Sequence, residues 1–345
     1  MKISAYFTAS LLFGAGLHGY VQQPKTAGEE FKNIQVLKRV PADQWFDTMA
    51  FIAGSLGVTC DHCHSAKFET DEGNPAKLKA REMMRMVDSI NAGHFGGQNV
   101  VTCNSCHRGT LKPQGSPVPN AEHWMKAAQS GSALPAAIEI LGRYKASIGM
   151  IKTQSISVRI ERFGGTGPAT TASADVLLDG DKARISHREG GGERAMLRNG
   201  ESAWIDEGKG WRAMSKGETF DAFEIAEVLA PDQVGGVELS GVVFEDKING
   251  LRSYVVPVST KDGRKWLFFD ADSGVLLRQR SFFSSFYGDA SVDINYGEYK
   301  VFGKAHLPTR IEVVNAGGPG LIVRQVISRR VNIALPSSEF QPSGN

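Results

Sequence analysis

The sequence predicts an α+β multidomain protein, with an all-α N-terminal unit followed by an antiparallel β-meander or half-barrel. Three observations predict this. Apolar residues recur at helical spacing before residue 110. All four cysteines fall in that same region, in two matching short segments. Beyond Lys152, apolar and polar residues alternate between repeated two-residue turn signals. At 345 residues the chain is also too long for one ordinary core.

The bulk composition narrows the function classes. Apolar content of 41% and charged content of 22% are those of a folded chain and exclude a disordered one. The net charge is +2 and no run of Lys or Arg occurs, so no nucleic-acid partner is expected.

Residues 1–19 read as an export signal. Lys2 gives a positive start, Ala5 to Phe13 is apolar, and the small residues Gly14, Ala15 and Gly16 follow. The expected location is the periplasm. Retained uncut, the same segment would attach the protein to the inner membrane.

Residues 30–110 form the predicted helical unit. Its cysteines stand in Cys60-Asp61-His62-Cys63-His64 and Cys103-Asn104-Ser105-Cys106-His107, both C-x-x-C-H, with no cysteine left over. Two thiols at this spacing can each add to a vinyl group of one haem. The histidine after the second cysteine then projects its imidazole to the iron. Two c-type haems are therefore expected, attached through Cys60, Cys63, Cys103 and Cys106, with His64 and His107 as iron ligands. A zinc site would leave both histidines unexplained. Bridging within C-x-x-C marks redox sites rather than structural staples.

Each motif follows a helix that bears methionine. Between Pro41 and Gly57, the residues Trp45, Met49, Ile52 and Leu56 share one face. The attachment helix is expected to begin at Cys60. Asn74-Pro75 opens a second helix running to Asn91, on which Met83, Met86 or Val87, and Ile90 share a face while Met84 points elsewhere. A methionine on a helical face most often only packs. Here each iron needs a sixth ligand, so Met49 and Met83 are the candidates, with Met86 in reserve. His62 lies inside the first attachment loop, and His94 is expected after the second helix, among glycines.

The stretch from about Asn33 to Gly109 resembles the cytochrome c subunit of bacterial photosynthetic reaction centres. The matching pieces are Met49 with Ser55-Leu56-Gly57-Val58-Thr59-Cys60, Ala80-Arg81-Glu82-Met83 through Ile90-Asn91, and Val101 through Gly109. The resemblance implies two helix–turn–attachment-helix units. It selects Met49 and Met83 as iron ligands, and it implies passage of single electrons to an oxidised redox partner, in that family within a membrane complex. Well-known members bind four haems and many carry a lipid-anchoring cysteine. This chain has two motifs and no such cysteine.

Residues 111–134 read as a linker rich in Pro and Gly, with a short helix from about Ala121 to Gln129. Residues 135–340 read as a helix followed by the β domain. The helix, Pro135 to Ile148, is expected to bury Ile138, Leu141 and Tyr144. Ile156, Val158 and Ile160 alternate as in a half-buried strand. Asn199-Gly200, Asn249-Gly250, Asp262-Gly263 and Ser273-Gly274 mark hairpins. A helix near Phe220 to Leu229 is expected to cover one opening. This order resembles the half-barrels of periplasmic lipoprotein carriers. No catalytic constellation stands out.

The main reading is thus an electron carrier rather than an enzyme. Two alternatives are a peroxidase-like dihaem oxidoreductase, with His94 or Arg81 as its distal group, and a redox-sensing module whose β domain binds an apolar ligand.

Overall fold

The computed structural model describes residues 25–65, 73–113, 134–164, 168–215, 223, 225–230, 238–260, 263–315 and 320–342. The expected signal segment 1–19 and the expected helix 121–129 lie outside the described residues.

The N-terminal part is helical. The short α1 (Ala27–Glu30) is tied to the segment ahead of the next helix, where the Ala27 amide donates to Val40 O at 2.7 Å and the Ala42 amide to Lys25 O at 2.8 Å. A 3-10 turn, Ala42–Gln44, leads into α2 (Trp45–Leu56). Gly57 ends α2 in the left-handed region at φ 65°, its amide reaching back to Ala53 O and Gly54 O. The long α3 (Pro75–His94) starts on Asn74, whose side chain accepts from the amides of Ala76 and Lys77, with proline at the first helical position. The short α4 (Cys103–His107) carries the second cysteine motif.

Two expectations change here. The first attachment segment is a single 3-10 turn, Cys60–His62, and not an α-helix. His94 lies on the last turn of α3 rather than beyond it, because the helix continues until Gly96 and Gly97 take φ of 60° and 80°.

The C-terminal part is one antiparallel sheet. Its strands are β1 (Thr153–Phe163), β2 (Thr170–Asp179), β3 (Lys182–Glu189), β4 (Gly192–Asn199), β5 (Ser202–Asp206), β6 (Arg212–Ala213), β7 (Glu238–Leu239), β8 (Phe244–Ile248), β9 (Leu251–Thr260), β10 (Gly263–Asp270), β11 (Leu276–Ser285), β12 (Gly288–Phe302), β13 (Ala305–Asn315) and β14 (Leu321–Val331). The spatial order is β6-β5-β4-β3-β2-β1-β14-β13-β12-β11-β10-β9-β7, with β8 beside β9. Two meanders, one from each half of the domain, are therefore joined where β1 pairs with β14. The Asn199-Gly200, Asn249-Gly250 and Ser273-Gly274 turns join β4–β5, β8–β9 and β10–β11. Asn249 and Gly250 both have positive φ, as a tight hairpin turn needs. Gly263 opens β10, while Asp262 lies outside the described residues.

One face of this sheet is covered by α5 (Ala137–Ile148) and by a helical segment at 225–229. Tyr144 of α5 packs its ring 5.2 Å from Phe269 of β10. The buried stripe of α5 is Ile140, Leu141, Tyr144 and Ile148, and Ile138 is 72% exposed. The expected stripe was rotated: at ~100° per residue, Ile140 and Ile148 lie with Leu141 and Tyr144, and Ile138 falls to one side. Phe223, Ala226 and Leu229 are fully buried in the same core. The covered face of the sheet is thus packed, among the described residues, by the chain's own side chains.

Candidate haem-attachment site

The two C-x-x-C-H segments are separate in sequence, and both contact α2. Helix α2, which precedes the first, packs along α4, which contains the second. Its C-terminal turn is bonded directly to the end of the second motif, since the Gly109 amide donates to Ser55 O at 2.9 Å. The approach is so close that a Cβ built on Gly57 would lie 2.1 Å from Gly109 O. Glycine is required at position 57 twice, for its left-handed φ and for this contact.

None of the four cysteines is in a disulfide. Cys60 and Cys106 are exposed, and Cys63 and Cys103 are half-buried. Burial pushes the Cys103 thiol up to about 11, with the neighbouring Cys106 and Asp88 adding to the rise, so it is un-ionised at neutral pH. Thr102 precedes α4, and its amide donates to Ser105 Oγ at 3.0 Å, which fixes the entry to the second motif.

His107 fits the role of an iron ligand. Its Nδ1 lies 3.1 Å from Thr110 O, and Thr110 Oγ1 donates in return to His107 O at 2.8 Å. A proton on Nδ1 engaged with a carbonyl leaves Nε2 as the lone-pair donor, which is how a metal-binding imidazole is oriented. His64 and His62 are both half-buried.

On α2, Met49 is half-buried against the core of the helical unit, alongside Trp45 and Leu56, while Ile52 is buried. On α3, Met84 is buried in that core with Val87, Met83 is half-buried, and Met86 is 45% exposed. Met83 thus lies beside the packed face and not within it. His94 is exposed. Arg81 donates to Asn33 O and Oδ1, both at 3.3 Å. It also sits ~200° around the helix from Met83. Arg81 therefore does not share the Met83 side, whereas His94, eleven residues further on, falls ~20° from Met83 but at the exposed end of the helix. Among the described residues, no cluster of three or more His, Cys, Asp or Glu side chains could hold a metal ion by itself. The Asp270 side chain accepts from the amide and hydroxyl of Ser273, so the Asp270–Gly274 segment is a hairpin turn.

Asn91 is a positioning residue that the sequence reading passed over. It is 3% exposed, its Oδ1 accepts from the Val101 amide at 2.9 Å, and its Nδ2 donates to Val101 O at 2.8 Å. It pins the returning chain to α3 just before Cys103. A polar, weakly helix-forming residue within a helix was the available signal.

The helical unit has a small core for its length. Its buried apolar residues are Ala27, Leu37, Val40, Ile52, Met84 and Val87, joined by Tyr287 from the β domain. Large apolar side chains remain open around it: Phe46, Leu78, Met86, Phe95, Val100 and Leu111. A unit of this size needs a staple or a large apolar cofactor to be stable. Two porphyrins would supply that surface, the thiols suiting their vinyl groups and the imidazole and methionine thioether suiting their iron.

These features define a helical unit with two C-x-x-C-H segments joined to a large antiparallel sheet. Residues 8–148 match the family model of the photosynthetic reaction centre cytochrome c subunit. A curated relative, cytochrome c-554 of Chloroflexus aurantiacus, is 32% identical over 99 residues. That alignment covers 27% of this chain and 23% of the relative, so the chain spans under a quarter of that protein's length. Among solved structures, a LolA superfamily protein from Nitrosomonas europaea aligns with a TM-score of 0.45 at 15% identity, covering 60% of this chain and 98% of that one. A DUF1329 family protein from Desulfovibrio piger aligns with a TM-score of 0.44 at 14% identity, covering 59% and 94%. Among the described residues no helix is long and apolar enough to cross a membrane.

Proposed function

We propose that this protein is an exported dihaem c-type cytochrome that passes single electrons to a redox protein partner. The observation that carries the reading is the presence of two C-x-x-C-H segments, each preceded by a methionine-bearing helix, with the end of the second tied to the helix before the first through Gly109 and Ser55. Cys60 and Cys63 would hold one haem and Cys103 and Cys106 the other, with His64 and His107 on the irons. Each bound haem would supply a one-electron Fe(III)/Fe(II) couple.

The chain's own residues set how that couple behaves. Thioether anchors would fix one haem to the turn that begins at Cys60 and the other to α4. The Thr110 carbonyl holds the His107 ring in one orientation and one tautomer. Met49 and Met83 are the proposed sixth ligands. A thioether there stabilises the reduced iron and closes the iron to small molecules, which suits a carrier rather than an oxidase or peroxidase. Residues 1–19 are the proposed export signal, which places the mature protein in the periplasm, where c-type attachment occurs in bacteria. A membrane complex is the proposed setting of the partner, by analogy with the family matched.

The test is spectroscopic. In the purified full-length protein, mass should exceed that of the polypeptide by two haems, and magnetic circular dichroism should report two His/Met irons. Met49→Ala should lower the potential of one haem and convert its spectrum, and Met83→Ala should do the same to the other. Rapid carbon monoxide binding by the unmodified reduced protein would overturn the carrier reading.

A further inference from the structure

The turn between β11 and β12 is not a solvent-facing tip. Phe286 and Tyr287 enter the helical unit. The Phe286 amide donates to Thr48 Oγ1 at 3.2 Å, and Phe286 O accepts from Asn99 Nδ2 at 2.7 Å. Thr48 is itself fully buried on α2, and Asn99 lies on the segment that leads to Cys103. The Tyr287 ring sits 5.7 Å from that of Phe51 and 5.4 Å from that of Phe286. It is 4% exposed and belongs to the same buried cluster as Ile52, Met84 and Val87, the cluster against which Cys103 packs.

The ring therefore does the work of a phenylalanine, but it carries a hydroxyl. That hydroxyl is buried and has no hydrogen-bond partner among the described residues. Burial pushes the phenol upward, and the neighbouring Cys103 and Asp88 push it further, so the group stays a protonated donor at every physiological pH. A buried donor of this kind calls for an acceptor. The acceptor expected beside Cys103 is the thioether sulfur that would join it to the edge of the haem anchored there.

We propose that Tyr287 is a positioning residue for the second haem, a hydrogen-bond donor that the β domain inserts beside the cofactor held at Cys103 and Cys106. The β domain is then part of the redox unit and not a separate passenger. A donor aimed at the cofactor or its edge offsets the extra negative charge of the reduced state, so its removal should lower the potential of that haem alone. The inference rests on the dihaem reading.

The experiment uses full-length protein matured with its haems. Covalent haem is counted by mass, and both potentials are read in an optically monitored redox titration. Tyr287→Phe keeps the ring and its packing. It should retain two haems, lower one potential and leave the other unmoved. Asn99→Ala, which loosens the Phe286 anchor from the helical side, should move the same haem in the same direction by less. Wild-type potentials in Tyr287→Phe, or an equal shift of both haems, would overturn the proposal. Wild-type protein carrying haem at Cys60 and Cys63 alone would overturn the dihaem reading and this proposal with it, and the mass reports that case before any variant is compared.

Discussion

Asn91 shows how much of the site depends on one polar side chain. It satisfies both backbone groups of Val101 from within a helix, as a neighbouring strand would. Replacing it with leucine keeps the volume and removes both bonds. The Val101 amide and carbonyl are then left without partners at a half-buried position, at a cost of about 1–3 kcal/mol. Asn91→Leu is expected to lower the thermal unfolding midpoint and to reduce haem content at Cys103 and Cys106 while sparing Cys60 and Cys63. Haem per chain, measured on peptides from each motif, checks this. An unchanged midpoint would show that water replaces the amide. At this scale the cysteines, their histidines and the methionine-bearing helices were all legible, because their chemistry is tied to spacing along the chain. Which side of α3 turns inward was only partly so. Met84 faces the core because Phe286 and Tyr287 help to form that core, from about 200 residues downstream. No local pattern encodes that contact.

Elements are placed by a few close contacts, and the end of α2 is the tightest. Gly57→Ala would put a side chain on a left-handed residue, costing about 1–2 kcal/mol, and would drive its Cβ into Gly109 O. The Ser55–Gly109 hydrogen bond should then open. The expected result is a lower unfolding midpoint and faster amide exchange across residues 105–113, with exchange in β9 and β10 unchanged. Slow exchange at Gly109 in the variant would refute the assigned contact. The helices were legible because Gly57, Asn74 and Pro75 mark their ends in sequence. Half of the sheet was legible for a similar reason, through its Asn-Gly and Ser-Gly turns. The rest was not. Strand β12 is half-buried along most of its length and is broken by Gly297 and a left-handed Glu298, so its alternation is blurred. The β1–β14 pairing joins Gln154 to Val331 and carries a register shift at Ser157/Val158, a long-range closure with no turn to announce it.

For the whole molecule, stability is unevenly divided. The β domain has a large continuous core under α5 and the 225–229 segment, whereas the helical unit has a few buried apolar side chains and many open ones. The haems are expected to supply the difference, since a group bound only to the folded form stabilises it by mass action or, when covalent, for as long as it is attached. Serine at all four positions, Cys60, Cys63, Cys103 and Cys106, removes the anchors with little change in volume. The variant should still fold its sheet, while residues 25–113 become the first part to unfold. Two separated transitions would replace a single one in thermal circular dichroism, the helical signal lost at the lower temperature. Limited proteolysis should cut within 25–113 and spare the sheet. The Phe286–Tyr287 turn bears on how far the transitions separate, because it ties the two parts through Thr48 and Asn99. If those contacts dominated, the unanchored protein would still melt in one step at a lower temperature. Two steps would show that the cofactors, more than the turn, hold the helical unit in its fold.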